Sequence, residues 1–145
     1  MNLRPSEFCA VLAAVNPQSS SSAQNSSYVS VAKYHKALAI IQVGAIASTG
    51  TFDAKLQQAK DTSGTGVKDI TGKAITQLAD TGDNQQLLID LDMAELDIAN
   101  GFHCVRIATT PATAASLVSA VLLGFDPRFV PASDNDAATV AEIVN

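Results

Sequence analysis

Apolar and polar positions alternate with a period of two over short runs of this chain, the pattern of half-buried β-strands. The cleanest run is Thr51 to Lys60, where Phe52, Ala54 and Leu56 fall on one side and Thr51, Asp53, Lys55 and Gln57 on the other. A second run lies within Gln85 to Thr109. Leu87, Ile89 and Leu91 alternate with Leu88, Asp90 and Asp92, and Met93 to Asp97 then breaks the period. Asn100-Gly101 supplies a turn able to take positive φ at little cost. From Phe102 the alternation returns, with Val105 and Ile107 opposite Arg106. Two sheet strands joined by a short helical or irregular turn are therefore expected here, with Leu56, Ile89, Val105 and Ile107 in one core.

Phe8 to Val15 and Ala37 to Val43 are apolar on both faces, as central or covered strands are. Between them, Asn16 to Ser27 (NPQSSSSAQNSS) is polar and of low complexity, which predicts an exposed loop and lets the first strand leave the body as an arm. Tyr28 to Lys33 reads as a strand and Tyr34-His35-Lys36 as its interruption. Gly44 to Gly50 is a connection, Asp61 to Gly66 a glycine-rich turn, Lys73 to Ala79 a strand, and Thr81 to Asn84 a turn. Pro111 should end its strand, because proline cannot donate to a ladder. Ala115 to Phe125 is preferred as a strand over a competing Ala- and Leu-rich helix, since Leu117, Val121 and Leu123 share one parity. In the tail, Asp136 would cap a short amphipathic segment, too short to stand alone as a helix.

The expected organisation is an N-terminal strand and Ser-rich arm over 1–27, a body over 28–125, and a tail over 126–145. The fold class is all-β: an antiparallel β-sandwich, jelly-roll-like, of about eight strands, with extended N- and C-terminal arms. A βαβ layout would need crossover helices of ~10 residues, and the pattern offers none.

Composition narrows the function classes. The 145 residues are 47% hydrophobic and 16% charged, which suits one packed domain rather than disorder. With 5% aromatic residues and no Trp, the core must be built from Val, Ile, Leu and Ala, and a sugar-binding platform is disfavoured. A net charge of −5 disfavours nucleic acid, which needs clustered Lys and Arg. The charge is also uneven. Residues 1–73 carry seven bases against four acids, and 74–145 carry two bases against ten acids. Such polarity would let one copy meet another, although a solvated acidic face is the preferred reading. The apolar run Phe8 to Val15 is too short to span a bilayer, and Glu7 weakens a signal-peptide reading.

No constellation of catalytic residues emerges. Asp90 and Asp92 share a strand face with Glu95 and Asp97 nearby, but the spacing is not that of an EF-hand loop. His103 and Cys104 are adjacent, so on a strand they would point to opposite faces. His35 is isolated beside Lys36, and the serines of Ser19 to Ser27 have no neighbouring base. Gly64-Thr65-Gly66 lacks the Gly-Lys-Ser/Thr ending of a phosphate cradle and reads as a turn. Two cysteines, Cys9 and Cys104, make no disulfide framework and are expected as free thiols. No catalytic, metal-binding or cofactor-binding residues are assigned.

Three passages carry a family resemblance: LQQAKDTSGTGVKDI (Leu56 to Ile70), KAITQLADTGDNQQLLIDL (Lys73 to Leu91) and ELDIANGFHCVRI (Glu95 to Ile107). They resemble the small β-rich structural proteins of tailed bacteriophages, functionally nearest to capsid decoration, or cement, proteins. The similarity spans Tyr28 to Phe125 and consists of turn and core patterns. It implies no enzymatic activity, binding of several copies to the major capsid protein, a homo-oligomer (a trimer above all), and a place on the capsid surface after assembly in the host cytoplasm. It involves neither nucleic acid nor membrane. The alternatives are another virion part, such as a head–tail adaptor, tail or fibre protein, and a carbohydrate- or ligand-binding sandwich.

Overall fold

The period-two runs become strands of two antiparallel sheets in the computed structural model, which describes residues 2–145. In chain order the strands are β1 (Cys9–Ser20), β2 (Gln24–Asn25), β3 (Val29–Ser30), β4 (Tyr34–Ile46), β5 (Thr51–Ala59), β6 (Lys68–Ala74), β7 (Leu78–Ala79), β8 (Gln85–Asp92), β9 (Cys104–Ala112) and β10 (Ser116–Pro127). Four of them form one sheet in the order β1-β10-β4-β8. The other six centre on the β9-β5 pair, with β2 and β3 along β9 and β6 and β7 along β5. The inner faces of both sheets meet in one core. Ile41, Leu122 and Ile89 from the first sheet join Phe52, Leu56, Val105 and Ile107 from the second. The chain is an all-β sandwich. No helix among the described residues is long and apolar enough to cross a membrane.

The expected core quartet of Leu56, Ile89, Val105 and Ile107 is buried together. The break between β8 and β9 is two short 3-10 turns, Met93–Glu95 and Ile98–Asn100, and Gly101 then takes φ +86. This connector carries the chain from one sheet to the other: β8 lies across the core from β6, and β9 across from β1 and β10.

Several expectations need correction. The stretch from Asn16 to Ser27 is not a flexible loop. β1 continues through Asn16 and Pro17 to Ser20, paired with β10 as far as Ser116. The chain then turns and β2 joins β9, where the buried Ser26 hydroxyl accepts from Ile107 N–H at 2.9 Å. Backbone pairing and one buried hydroxyl fix a segment whose side chains carry no apolar signal. β1 is consequently part of the sheet rather than an arm, and it lies at an edge rather than in the centre.

Tyr34-His35-Lys36 does not interrupt a strand but begins β4, with Tyr34 buried against the core. The strand placed at Lys73 to Ala79 divides into β6, which starts earlier at Lys68, and the two-residue β7. Pro111 lies inside β9, opposite Phe52. β2 stops at the partner of Thr109, so beyond that point β9 has a free side where a missing N–H costs little.

Candidate functional site: the outer face of the four-stranded sheet

β10 is a strand, as its parity predicted, but the parity points the other way. Ser116, Val118, Ala120 and Leu122 face the core, while Leu117, Val121 and Leu123 face outward. The register builds this into a continuous surface. Val11, Leu123 and Leu38 form one row across three strands, and Ala14, Val121, Ile40 and Leu88 form the next. Leu88 is 62% exposed and Leu117 48% exposed. The rest are half-buried, largely by their neighbours in the sheet. Gly44 lets Leu117 lie close over the strand, since a Cβ there would stand 3.0 Å from Leu117 Cβ. Shallow grooves cross the face beside Ile40, Val121 and Leu38.

The other sheet presents the opposite chemistry. On its outer face, Arg106 donates through Nε and a terminal nitrogen to Gln57 Oε1 at 2.9 and 2.8 Å. Gln57 in turn donates to Asp69 at 2.8 Å, and Lys55 bonds the other Asp69 oxygen at 2.7 Å. Arg106 also stacks on the Tyr28 ring, 4.6 Å from its centroid. Arg106, Gln57, Asp69 and Lys55 thus bond one another in a single polar network, while the buried Tyr28 hydroxyl has no partner. One sheet is finished toward water, and the other carries an apolar patch on its outer face, bordered by the polar row Ser119, Gln42 and Gln86 and by Asp90.

The acidic residues singled out from the sequence are mostly engaged within the chain. Asp92 Oδ1 accepts from Ala94 N–H, and Glu95 pairs with Lys73 at 2.8 Å. Asp97 bonds Lys68 and Asn100, and its own N–H donates to Gln58 Oε1 at 2.9 Å. The lysines hold the Glu95 and Asp97 carboxyls below their usual range. Two of the ten acids of residues 74–145 are thus paired with lysines of β6 through the β8–β9 connector. Asp90 is exposed at the rim of the apolar face. Among the described residues, no three His, Cys, Asp or Glu side chains come together as a metal site would need. His103 is exposed beside Gly101 C=O, and Cys104 is buried.

Asp61 anchors the glycine-rich turn, accepting from Ser63 and Thr65 N–H at 2.9 and 3.0 Å. Strands apolar on both parities imply surface that one small sandwich does not cover, and that surface is the outer face of this sheet. Its reach onto β8 is masked in the sequence because Leu88 stands on the parity of Asp90 and Asp92. Compared with known proteins, the chain matches no family model and no curated protein.

Proposed function

We propose that the chain is a virion structural protein, a capsid decoration (cement) protein that sits on the outside of a tailed-phage head and stabilises it. The observation that carries this reading is the apolar patch on the outer face of the β1-β10-β4-β8 sheet, set against the polar network on the face opposite. A contiguous apolar surface on a rigid sheet is suited to lie against another protein. Connections that pass repeatedly between the sheets, as at β4–β5 and β8–β9, support reading the sandwich as jelly-roll-like.

Magnitudes favour a repeated partner. Four strands at ~4.8 Å and about six residues at ~3.3 Å give a patch of roughly 400 Å². A standard interface buries about 800 Å² per partner. One sheet alone would thus hold weakly, whereas linked copies on a lattice, as in a homotrimer on the major capsid protein, multiply weak contacts.

The test is co-sedimentation with emptied heads of the encoding phage, comparing the natural chain with Val121→Asp and Leu88→Asp. Both positions face outward, so circular dichroism should confirm intact folds. Binding by the natural chain and its loss in Val121→Asp is the expected result. Unchanged binding by both variants would remove this face from the role, and binding to tails but not heads would assign the protein to another virion part.

A further inference from the structure

The free edge of β1 is open over a short, defined length. β1 pairs with β10 on one side only. On its other side Val11 is engaged: its N–H donates to Asp136 Oδ1 at 2.7 Å, and its C=O accepts from Ala137 N–H at 2.7 Å. Asp136 thus ties the tail to a strand edge and does not cap a helix. Past Ala137 the tail turns off, with Val140 N–H donating back to Ala137 C=O at 2.9 Å. A groove of about 540 Å³ remains beside β1, running from Leu12 to Asn16, with Ser27 and Val29 across from it. Pro17 closes the usable edge, since it has no N–H to offer.

The segment past that turn is unengaged. Ala141 to Asn145 (AEIVN) forms no hydrogen bond among the described residues, and Ile143 is 38% and Val144 86% exposed. It contains two β-branched residues and neither Pro nor Gly. The turn at Ala137–Val140 takes it off its own β1, for only Ala137, Ala138 and Thr139 of the tail line the groove.

We propose that residues 141–145 of one copy add as a strand to the Leu12 to Asn16 edge of β1 in a second copy. An unpaired edge is a template for such addition, in which main-chain hydrogen bonds give the affinity. The contact is head-to-tail, so copies close into a ring where the rotation permits. It needs only a second copy of this chain and does not rest on the capsid reading.

Light scattering over a concentration series compares the full chain with Ala141→Pro/Ile143→Pro. Those residues make no bonds within one copy, so the change leaves the monomer fold intact while removing two backbone donors. The full chain should associate, and the double variant should do so at least about tenfold more weakly. A second measurement places Ala14→Cys on one population and Ile143→Cys on another, the central residues of the two segments, which stand opposite in either strand direction; both carry Cys9→Ser, and the mixture is oxidised. A disulfide between the two populations is expected. A full-length monomer at every concentration, association unaffected by the prolines, or failure to form the mixed disulfide would each overturn the proposal.

Discussion

Tyr34 packs directly over Gly124. A Cβ built on residue 124 would stand 2.8 Å from Tyr34 Cδ1 and 2.9 Å from Leu12 Cδ1. The glycine is required here by close approach rather than by a special φ. It gives the buried Tyr34 ring its room where β1, β4 and β10 adjoin. Gly124→Ala should therefore cost about 1–3 kcal/mol, the range for forcing an added carbon into a packed core. Chemical denaturation of the two proteins checks this, and an unchanged midpoint would show that Tyr34 moves aside freely.

Adjacent residues on β8 should behave oppositely. Ile89 is 6% exposed within the shared core, and its neighbour Leu88 points outward. Ile89→Ala should cost ~2–5 kcal/mol through lost burial and a residual cavity. Leu88→Ala should stay within about 0.5 kcal/mol in an isolated copy. Equal losses at both positions would mean that the outer face is covered.

Acid should destabilise the fold through identifiable carboxylates. Thr65 lowers the Asp61 carboxyl, Lys55 that of Asp69, Lys73 that of Glu95 and Lys68 that of Asp97. Each is thus more acidic folded than unfolded, where values are about 3.9 for Asp and 4.3 for Glu. Their contribution is complete above the unfolded values and is lost as pH falls through the folded ones. Denaturation midpoints should be level from about pH 7 to 5 and fall below ~4. Lys73→Met should lower the neutral plateau and converge with the natural chain in acid. These pairs are exposed, so high salt should shrink the difference.

Cys9 and Cys104 stand on different sheets as free thiols. Burial raises both above the ordinary thiol value, and the negative charge of Asp136 adds to the effect at Cys9. Both should label slowly at neutral pH and faster in base. Half-exposed Cys9 should react ahead of Cys104. Mass spectrometry after alkylation without reductant measures the order, and a Cys9–Cys104 link would contradict it.

The strands legible in the sequence were those with one polar face. β5 and β8 announce their parity because Asp53, Lys55, Asp90 and Asp92 mark the outside. β4 and β10 carry apolar residues on both faces, so their existence was readable but not which side each residue takes. In β10 the inward set includes Ser116, Ala120 and Gly124, small residues that suit close packing yet score as weakly apolar. The second half of β1 was illegible for a different reason. Past the irregularity at Asn16 and Pro17, Gln18 to Ser20 are held by backbone pairing with β10, and such pairing leaves no trace in side-chain pattern. The tail's bond to Val11 pairs residues far apart in the chain, which local capping rules read as a helix start.

The pairing of β1 with β10 has a kinetic consequence. Cys9 is matched with Phe125, and Ser20 with Ser116, so the first strand must wait for the last. β10 is also the strand that joins β1 to β4, and without it the four-stranded sheet is two separate pieces. During synthesis, Phe8 to Val15 emerges early and stays unpaired until β10 has left the ribosome. Closing so long a loop before any reward makes folding slow for the chain's size, in the millisecond-to-second range of non-local β-topologies. A nascent chain halted before Ser116 would present an unmatched apolar strand to the cell, a species for chaperones to hold.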